Sequence, residues 1–399
     1  MRKYFGPLQF FIPAVLVVVF LAFATAPSGA QTLCPTGTGT ICVLTWQQDT
    51  PSICTGCAYR TGQNLSESAI TYSSITTDRF GRLCSVQLDG QVYAQPLVVT
   101  NVGIGSTTWP SVVYVVTQND RLYAIDGNPQ DGCAILNGNG SGTSLIPAGQ
   151  SAVPCRDIEG IDCLAIKPTV GILGTPVIST SGSTGTMYVV TETEDSSGNF
   201  YHYLHAIDIR NFTEPSPVRV VPPGSTSGQA SAFSKIHIQR PGLLFANCGT
   251  GCGNHVYVAF SMIDSAGTPY PNGAIFGYNA ADLHDTHVFY LQTSLGTTGF
   301  DGGGIWMGGA APAFGTDSSG QSWIYVTTAN GVFDLNTGGT DAGNSLLKLN
   351  PKGLAITTPN FGYFTPVDQY YRSPTVPNAR VTVAQRYRAM SISARGGRC

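Results

Sequence analysis

Two glycine-rich stretches of this chain carry residue types that could do chemistry. Asp301-Gly302-Gly303-Gly304-Ile305-Trp306-Met307-Gly308-Gly309 sets one carboxylate and one indole in a run of glycines. Glycine lets a backbone approach a ligand closely, and an indole amid glycines offers a face for stacking on a sugar or a planar ring. Asp301, Gly303, Gly304 and Trp306 are therefore the predicted ligand-binding set, with Trp306 as a plug between structural elements the competing reading. Asp334, Asn336, Asp341 and Asn344 space oxygen donors as calcium loops do. An EF-hand's closing glutamate is missing, so a plain Asp-Asn-Gly turn competes with the calcium site.

The cysteines and histidines point to structure more than to catalysis. Eleven cysteines in a chain that begins like an exported one argue for disulfides rather than metal-thiolate chemistry. Cys155 with Cys163, and Cys248 with Cys252, bracket short polar loops and are predicted to close locally. Cys54-Thr55-Gly56-Cys57 has redox or zinc spacing but no second pair at a fitting distance, which favours a staple. His202 and His205, three apart in a strand, face opposite sides and cannot act as paired ligands there. No Gly-x-Ser-x-Gly elbow or zinc-protease helix is present.

The elements that must position these residues recur. Four times a Pro-centred apolar run leads to a strand of the Tyr-Val type and then to a third apolar segment. The runs begin at Pro96, Pro176, Pro241 and Pro312, spaced 80, 65 and 71 residues apart, and the strands carry Tyr114, Tyr188, Tyr257 and Tyr325. In two copies the third segment ends Ala-Ile-Asp, at Asp126 and Asp208. Short strands in a fixed order that cannot bury their faces alone signal a repeat fold. With strands that are aromatic and β-branched, and no convincing 3.6-residue apolar period between them, the expectation is all-β: a β-propeller of four-stranded antiparallel blades. About four full blades and a partial N-terminal one are expected, with Leu83 to Leu88 supplying a strand from outside the first repeat.

Arg60 to Asn64, Asp89 to Leu97, Leu204 to Asp208, Gln239 to Leu244, Gly303 to Met307 and Tyr363 to Pro366 resemble stretches of secreted bacterial β-propellers. Those belong to the pyrroloquinoline quinone repeat type, in the quinoprotein alcohol dehydrogenase-like superfamily. The resemblance implies the propeller fold; for the enzymes of that superfamily it also implies the quinone and a calcium ion at the propeller axis, beside a carboxylate base. The chain departs from that pattern in lacking an adjacent Cys-Cys pair and the tryptophans that close blades after Asp126 and Asp208. The expectation is thus an extracytoplasmic module that binds a glycan, a peptide or an envelope component. A quinoprotein dehydrogenase acting on alcohols or aldoses, with pyrroloquinoline quinone and calcium, is the alternative, and a truncated fragment of a longer propeller is another.

Composition fits an exported chain. Arg2 and Lys3, an apolar stretch from Phe10 to Ala24 and Ser28-Gly29-Ala30 read as a signal peptide over residues 1–30. Residues 31–89 then form an N-terminal segment with the partial blade, and 90–369 the repeats. The mature protein is expected to be secreted or periplasmic and free of the membrane. Charged residues make up only 11% of the chain, against about a quarter in ordinary domains. A net charge of −3 without a basic stripe excludes nucleic acid as the expected partner. Residues 370–399 carry arginines at 372, 380, 386, 388, 395 and 398 and no acid, and are expected to form a disordered basic tail.

Overall fold

The computed structural model describes residues 41–43, 70, 74–75, 81–158, 163, 166–249, 252–262, 273–284, 287–291, 303–317, 319–329, 331, 333–339, 341–356 and 362–365. The expected signal peptide, the basic tail and the Cys54–Cys57 pair lie outside these residues. The described chain is mostly β, in four antiparallel sheets of five, six, five and four strands.

Each sheet is built on the same three-strand centre. In the first, Thr107–Thr117 lies between Leu97–Ile104 and Arg121–Asp126. Thr184–Asp195, Asn254–Met262 and Ser322–Thr327 hold the same place in the second, third and fourth. The four tyrosines fall in one register position. Tyr114 pairs with Leu97 and Ala124, Tyr188 with Val177 and Ala206, Tyr257 with Leu244 and Gly277, and Tyr325 with Ala313 and Lys348.

Period-two alternation sends successive side chains of these strands to opposite faces, and the sheets stack in sequence. Tyr114 and Val116 of the first meet Met187, Val189 and Ile207 of the second. Tyr188 and Val190, on the second sheet's other face, meet Phe245, Val256 and Phe260 of the third. Tyr257 and Ala259 meet Ile324, Val326 and Leu347 of the fourth.

A repeated hydrogen bond locks that stack. The Tyr114 hydroxyl donates to the Ile209 carbonyl at 2.7 Å, Tyr188 to Ala280 at 2.8 Å and Tyr257 to Pro351 at 3.0 Å. Each acceptor directly follows an Asp or Asn, Asp208, Asn279 or Asn350, at the end of the third strand of the next sheet. There an Asp or Asn bends the chain: Asp208, Asn279 and Asn350 each accept, on the side-chain oxygen, the amide two residues on. The turns then close alike, Phe212, Leu283 and Leu354 donating back to residues 208, 279 and 350 from positive φ. These are Asx turns, and they aim the preceding carbonyl at the tyrosine. A small residue opposite each ring makes room: a Cβ on Gly277 would lie 3.0 Å from the Tyr257 ring. Burial pushes the Tyr188 phenol up to about 12, so these hydroxyls remain donors across the ordinary pH range.

Two expectations need correction. Leu83 to Leu88 forms no strand; Val86 and Leu88 instead pack over the outer face of the first sheet, against Val115, Tyr123 and Ile125. A disulfide from Cys84 to Cys133, absent from the expected pairs, ties that cover down. A helix, Ser227–Ile236, stands where no helical period was recognised. Thr226 and Gln229 form a capping box, and Phe233 and Ile236 are buried. Gly, Ser and Ala in its sequence weaken the apolar stripe that would reveal it. Among the described residues no helix is long and apolar enough to cross a membrane.

Tyr188→Phe deletes one inter-sheet bond and strands a half-buried carbonyl, and should cost about 1–2 kcal/mol in denaturant unfolding. Tyr325, half-buried and without such a bond among the described residues, should tolerate the same change to within about 0.5 kcal/mol.

Candidate functional site

The Pro-centred runs lie side by side and knit one edge of the stack together. The Gln95 amide donates to the Thr175 hydroxyl at 3.0 Å, the Leu243 amide to the Thr175 carbonyl at 2.9 Å, and the Gly242 amide to the Ala310 carbonyl at 2.8 Å. All four sheets thus contribute backbone to a common rim.

Arg240 sits on this rim, fixed by the proline that follows it. Its Nη1 donates to the Leu173 carbonyl at 3.1 Å, and a Cβ on Gly308 would lie 3.6 Å from its guanidinium carbon. The group is half-buried; desolvation lowers its pKa, while the nearby Tyr93 phenol acts in the opposite sense. No carboxylate pairs with Arg240 among the described residues. A guanidinium that keeps most of its donors unused in a partly dry site is a ready partner for an anion or a polyol.

Trp306 lies two residues before Gly308, which approaches the guanidinium, and so on the same rim. The predicted residues Gly303 and Gly304 serve close packing: a Cβ on Gly273 would come within 3.1 Å of the Gly304 Cα, and the Gly304 carbonyl accepts from the Ala329 amide at 2.8 Å. Ile305, fully buried, plugs the interior, whereas Trp306 is 41% exposed. Asp301, predicted with them, lies outside the described residues.

A groove of about 430 Å³ opens nearby, lined by Gln87, Asp89, Gln91, Gln118, Asn119 and Lys167 among others. Gln91 accepts from the Tyr93 hydroxyl, which links groove and Arg240. Asp89 is occupied by Arg121 at 2.8 Å and by the Thr117 hydroxyl at 3.1 Å. Gln118 is fully buried and donates to the Lys167 carbonyl, and Asn119 is held by the Asp89 carbonyl and the Thr169 hydroxyl, so Gln87, Gln91 and Lys167 are the polar side chains at the groove surface.

The predicted calcium residues close a loop on itself. Asp334 accepts the Asp341 amide on its side chain at 2.7 Å, and their backbones pair at 2.9 Å. Asn336 is exposed on the turn Leu335–Thr337. Asn344, at φ 52°, donates its side-chain amide to the Gly331 carbonyl and its backbone amide to the Ala329 carbonyl. Ala329 therefore joins Asn344 to the Gly304 segment, while Asn336 is not brought to the rim. The expected disulfides Cys155–Cys163 and Cys248–Cys252 are both formed.

One cluster escaped the sequence reading. Asp120, at φ 52° in the turn after Thr117, and Glu192 are both buried. Burial first, and then the Glu192 charge, drives the Asp120 carboxyl well above its ordinary 3.8, although the backbone amides of Glu192 and Ile172 pull the other way. Neither carboxylate oxygen of Asp120 has a hydrogen bond of ordinary geometry. Glu192 is likewise raised by burial, and its partner at 3.3 Å, His202, is held neutral, its pKa depressed to about 3.

No family model matches the chain, and no curated protein matches it. Among solved structures, the quinohemoprotein alcohol dehydrogenase ADHIIG from Pseudomonas putida HK5 aligns at 14% identity with a TM-score of 0.35. The alignment covers 70% of this chain and 35% of that one, so the chain spans about a third of that enzyme's length. So distant a likeness says nothing of the chemistry at the rim.

Two measurements follow from this geometry. Trp306→Ala should cost about 1 kcal/mol in stability, well short of the ~3–5 kcal/mol of a buried aromatic. Asp120→Asn keeps a residue type that tolerates positive φ and removes a buried acid. The unfolded chain releases that acid's proton near pH 4 and the folded chain holds it longer, so wild-type stability falls as pH rises above 4 until the raised pKa is passed. The variant should therefore be more stable than wild type in thermal unfolding at pH 7, with the gap closing near pH 3.

Proposed function

We propose that this chain is an extracytoplasmic β-propeller-type binding module that takes a polar, acidic ligand at the rim formed by its Pro-centred runs. An acidic glycan is the ligand class that suits the rim best, with peptide and envelope components the other candidates. Arg240 carries the reading: a half-buried cation without a carboxylate partner among the described residues, close to the Gly308 backbone, two residues from an indole that is 41% exposed. The guanidinium would grip a uronate or similar carboxylate, and Trp306 would stack on the sugar face. Gln87, Gln91 and Lys167 would meet hydroxyls along the groove. Cysteines paired as disulfides support an oxidising compartment.

The quinone reading draws on the same Arg240 and Trp306, since pyrroloquinoline quinone is flat and carries carboxylates. Its calcium ion and base need carboxylate oxygens, and none accompanies Arg240 among the described residues. The described residues do not supply them, and no oxidative step is derived.

Titration calorimetry with uronic-acid oligosaccharides should give binding that Arg240→Met weakens by about 10–100-fold, as expected for losing a hydrogen-bonded charge. Neutral oligosaccharides of the same length should bind more weakly than acidic ones. Equal binding of both, or an Arg240→Met variant with unchanged affinity, would remove the basis for this function.

A further inference from the structure

Away from the rim, three side chains of the third sheet converge. The sulfurs of Cys248 and Cys252 and a ring nitrogen of His255 all lie within 4.8 Å of one another, and Cys252 Sγ is 3.9 Å from His255 Nδ1. The sulfur–nitrogen separation approaches an edge of a tetrahedron around a zinc-sized ion, since bonds of ~2.3 Å to sulfur and ~2.0 Å to nitrogen put two such donors about 3.6 Å apart; the two sulfurs, joined here, would have to part to reach theirs.

The backbone holds this arrangement without help from the sulfur–sulfur bond. The Cys248 amide donates to the Gly253 carbonyl at 2.9 Å, the Cys252 amide to the Gly249 carbonyl at 3.1 Å, and the Gly249 amide to the Asn247 side chain at 2.9 Å. His255 belongs to the central strand Asn254–Met262 and is fully buried, so its ring is fixed. His287, in the strand His287–Leu291, stacks on it with ring centres 5.9 Å apart and supplies a second imidazole beside the site. Cys252 is half-exposed, which leaves a path for an ion.

We infer that the Cys248–Cys252 disulfide is the oxidised state of a thiolate–imidazole site which, once reduced, binds one thiophilic divalent cation of the zinc class. A dithiol reductant supplies two electrons and two protons: the bond between the two sulfurs breaks, two S–H bonds form, and the reductant leaves as its own disulfide. The cation then displaces both thiol protons to solvent, forms two bonds to sulfur and accepts the lone pair of His255. The fourth position goes to water. Soft sulfur with imidazole selects such ions over calcium or magnesium, whose ligands are oxygen. The oxidised chain has no thiolate to offer, so the loop alternates between a covalent closure and a metal closure of the same hairpin.

Cobalt(II) is the probe, because sulfur ligation gives it an intense near-ultraviolet charge-transfer band. The purified chain would be titrated with cobalt(II), and then with competing zinc(II), before and after treatment with a phosphine reductant. Expected is no band in the oxidised chain and, in the reduced folded chain, a band that saturates at one ion per chain and is displaced by zinc. Cys248→Ser with Cys252→Ser should abolish it, although the other cysteines remain. His255→Asn, checked for folding by circular dichroism, should keep sulfur ligation but weaken zinc binding by 10-fold or more. A band that survives in the double serine variant would overturn the assignment. So would an unaltered affinity in His255→Asn, or a chain that unfolds on reduction before it binds any ion.

Discussion

A tyrosine hydroxyl in one sheet, hydrogen-bonded to a turn in the next, is the contact on which the architecture depends. Measured by energy, burying the ring is the larger effect: truncating a buried aromatic costs ~3–5 kcal/mol, whereas one net hydrogen bond contributes about 1 kcal/mol. Apolar burial has no direction, however, and would tolerate a sheet sliding by a residue. The hydroxyl does not. It must meet one carbonyl, and the Asx turn at Asp208, Asn279 or Asn350 fixes where that carbonyl stands.

With the sheets held in that relation, the Pro-centred runs preceding each outer strand are drawn alongside one another. Tyr188 is paired with Val177, directly after the run that holds Thr175, and Thr175 bonds to both the first and third sheets. Arg240 and Trp306 come from different repeats, and they face a common rim only because the second, third and fourth sheets stack in this way. The glycines at 273, 277 and 308 serve the same end by letting backbone, ring or guanidinium close to within 3.0–3.6 Å of where a side chain would begin.

Much of this could be read in the chain itself. The four Tyr-Val strands were expected in equivalent central positions, and they occupy one register. Asp208 was visible as the end of a repeated phrase, but its work in turning the chain was not, because the tyrosine that reaches each such turn lies some 90 residues earlier, as the 95, 92 and 94-residue separations of the three latches show. The short-loop disulfides followed from local spacing; Cys84 and Cys133, 49 residues apart, gave no local signal. Helix Ser227–Ile236 announced itself only through Thr226 and Gln229. At the candidate site, Trp306 was found from its glycines, whereas Arg240 looked like one more residue of a Gln-Arg-Pro motif until the fold left it without a carboxylate. Asp120 hides as an ordinary turn residue, since nothing in sequence shows that its turn is buried against Glu192.

Hydrogen exchange on Tyr188→Phe, followed by mass spectrometry or NMR, tests the central claim most directly. If the latch holds each turn from the sheet before it, protection should fall at the Leu283 amide, which closes the turn at Asn279 in the third sheet. The corresponding Phe212 amide, in the mutated sheet's own turn, should exchange as in wild type. Loss of protection at Phe212 with Leu283 unchanged, or a uniform rise across both sheets, would contradict the account.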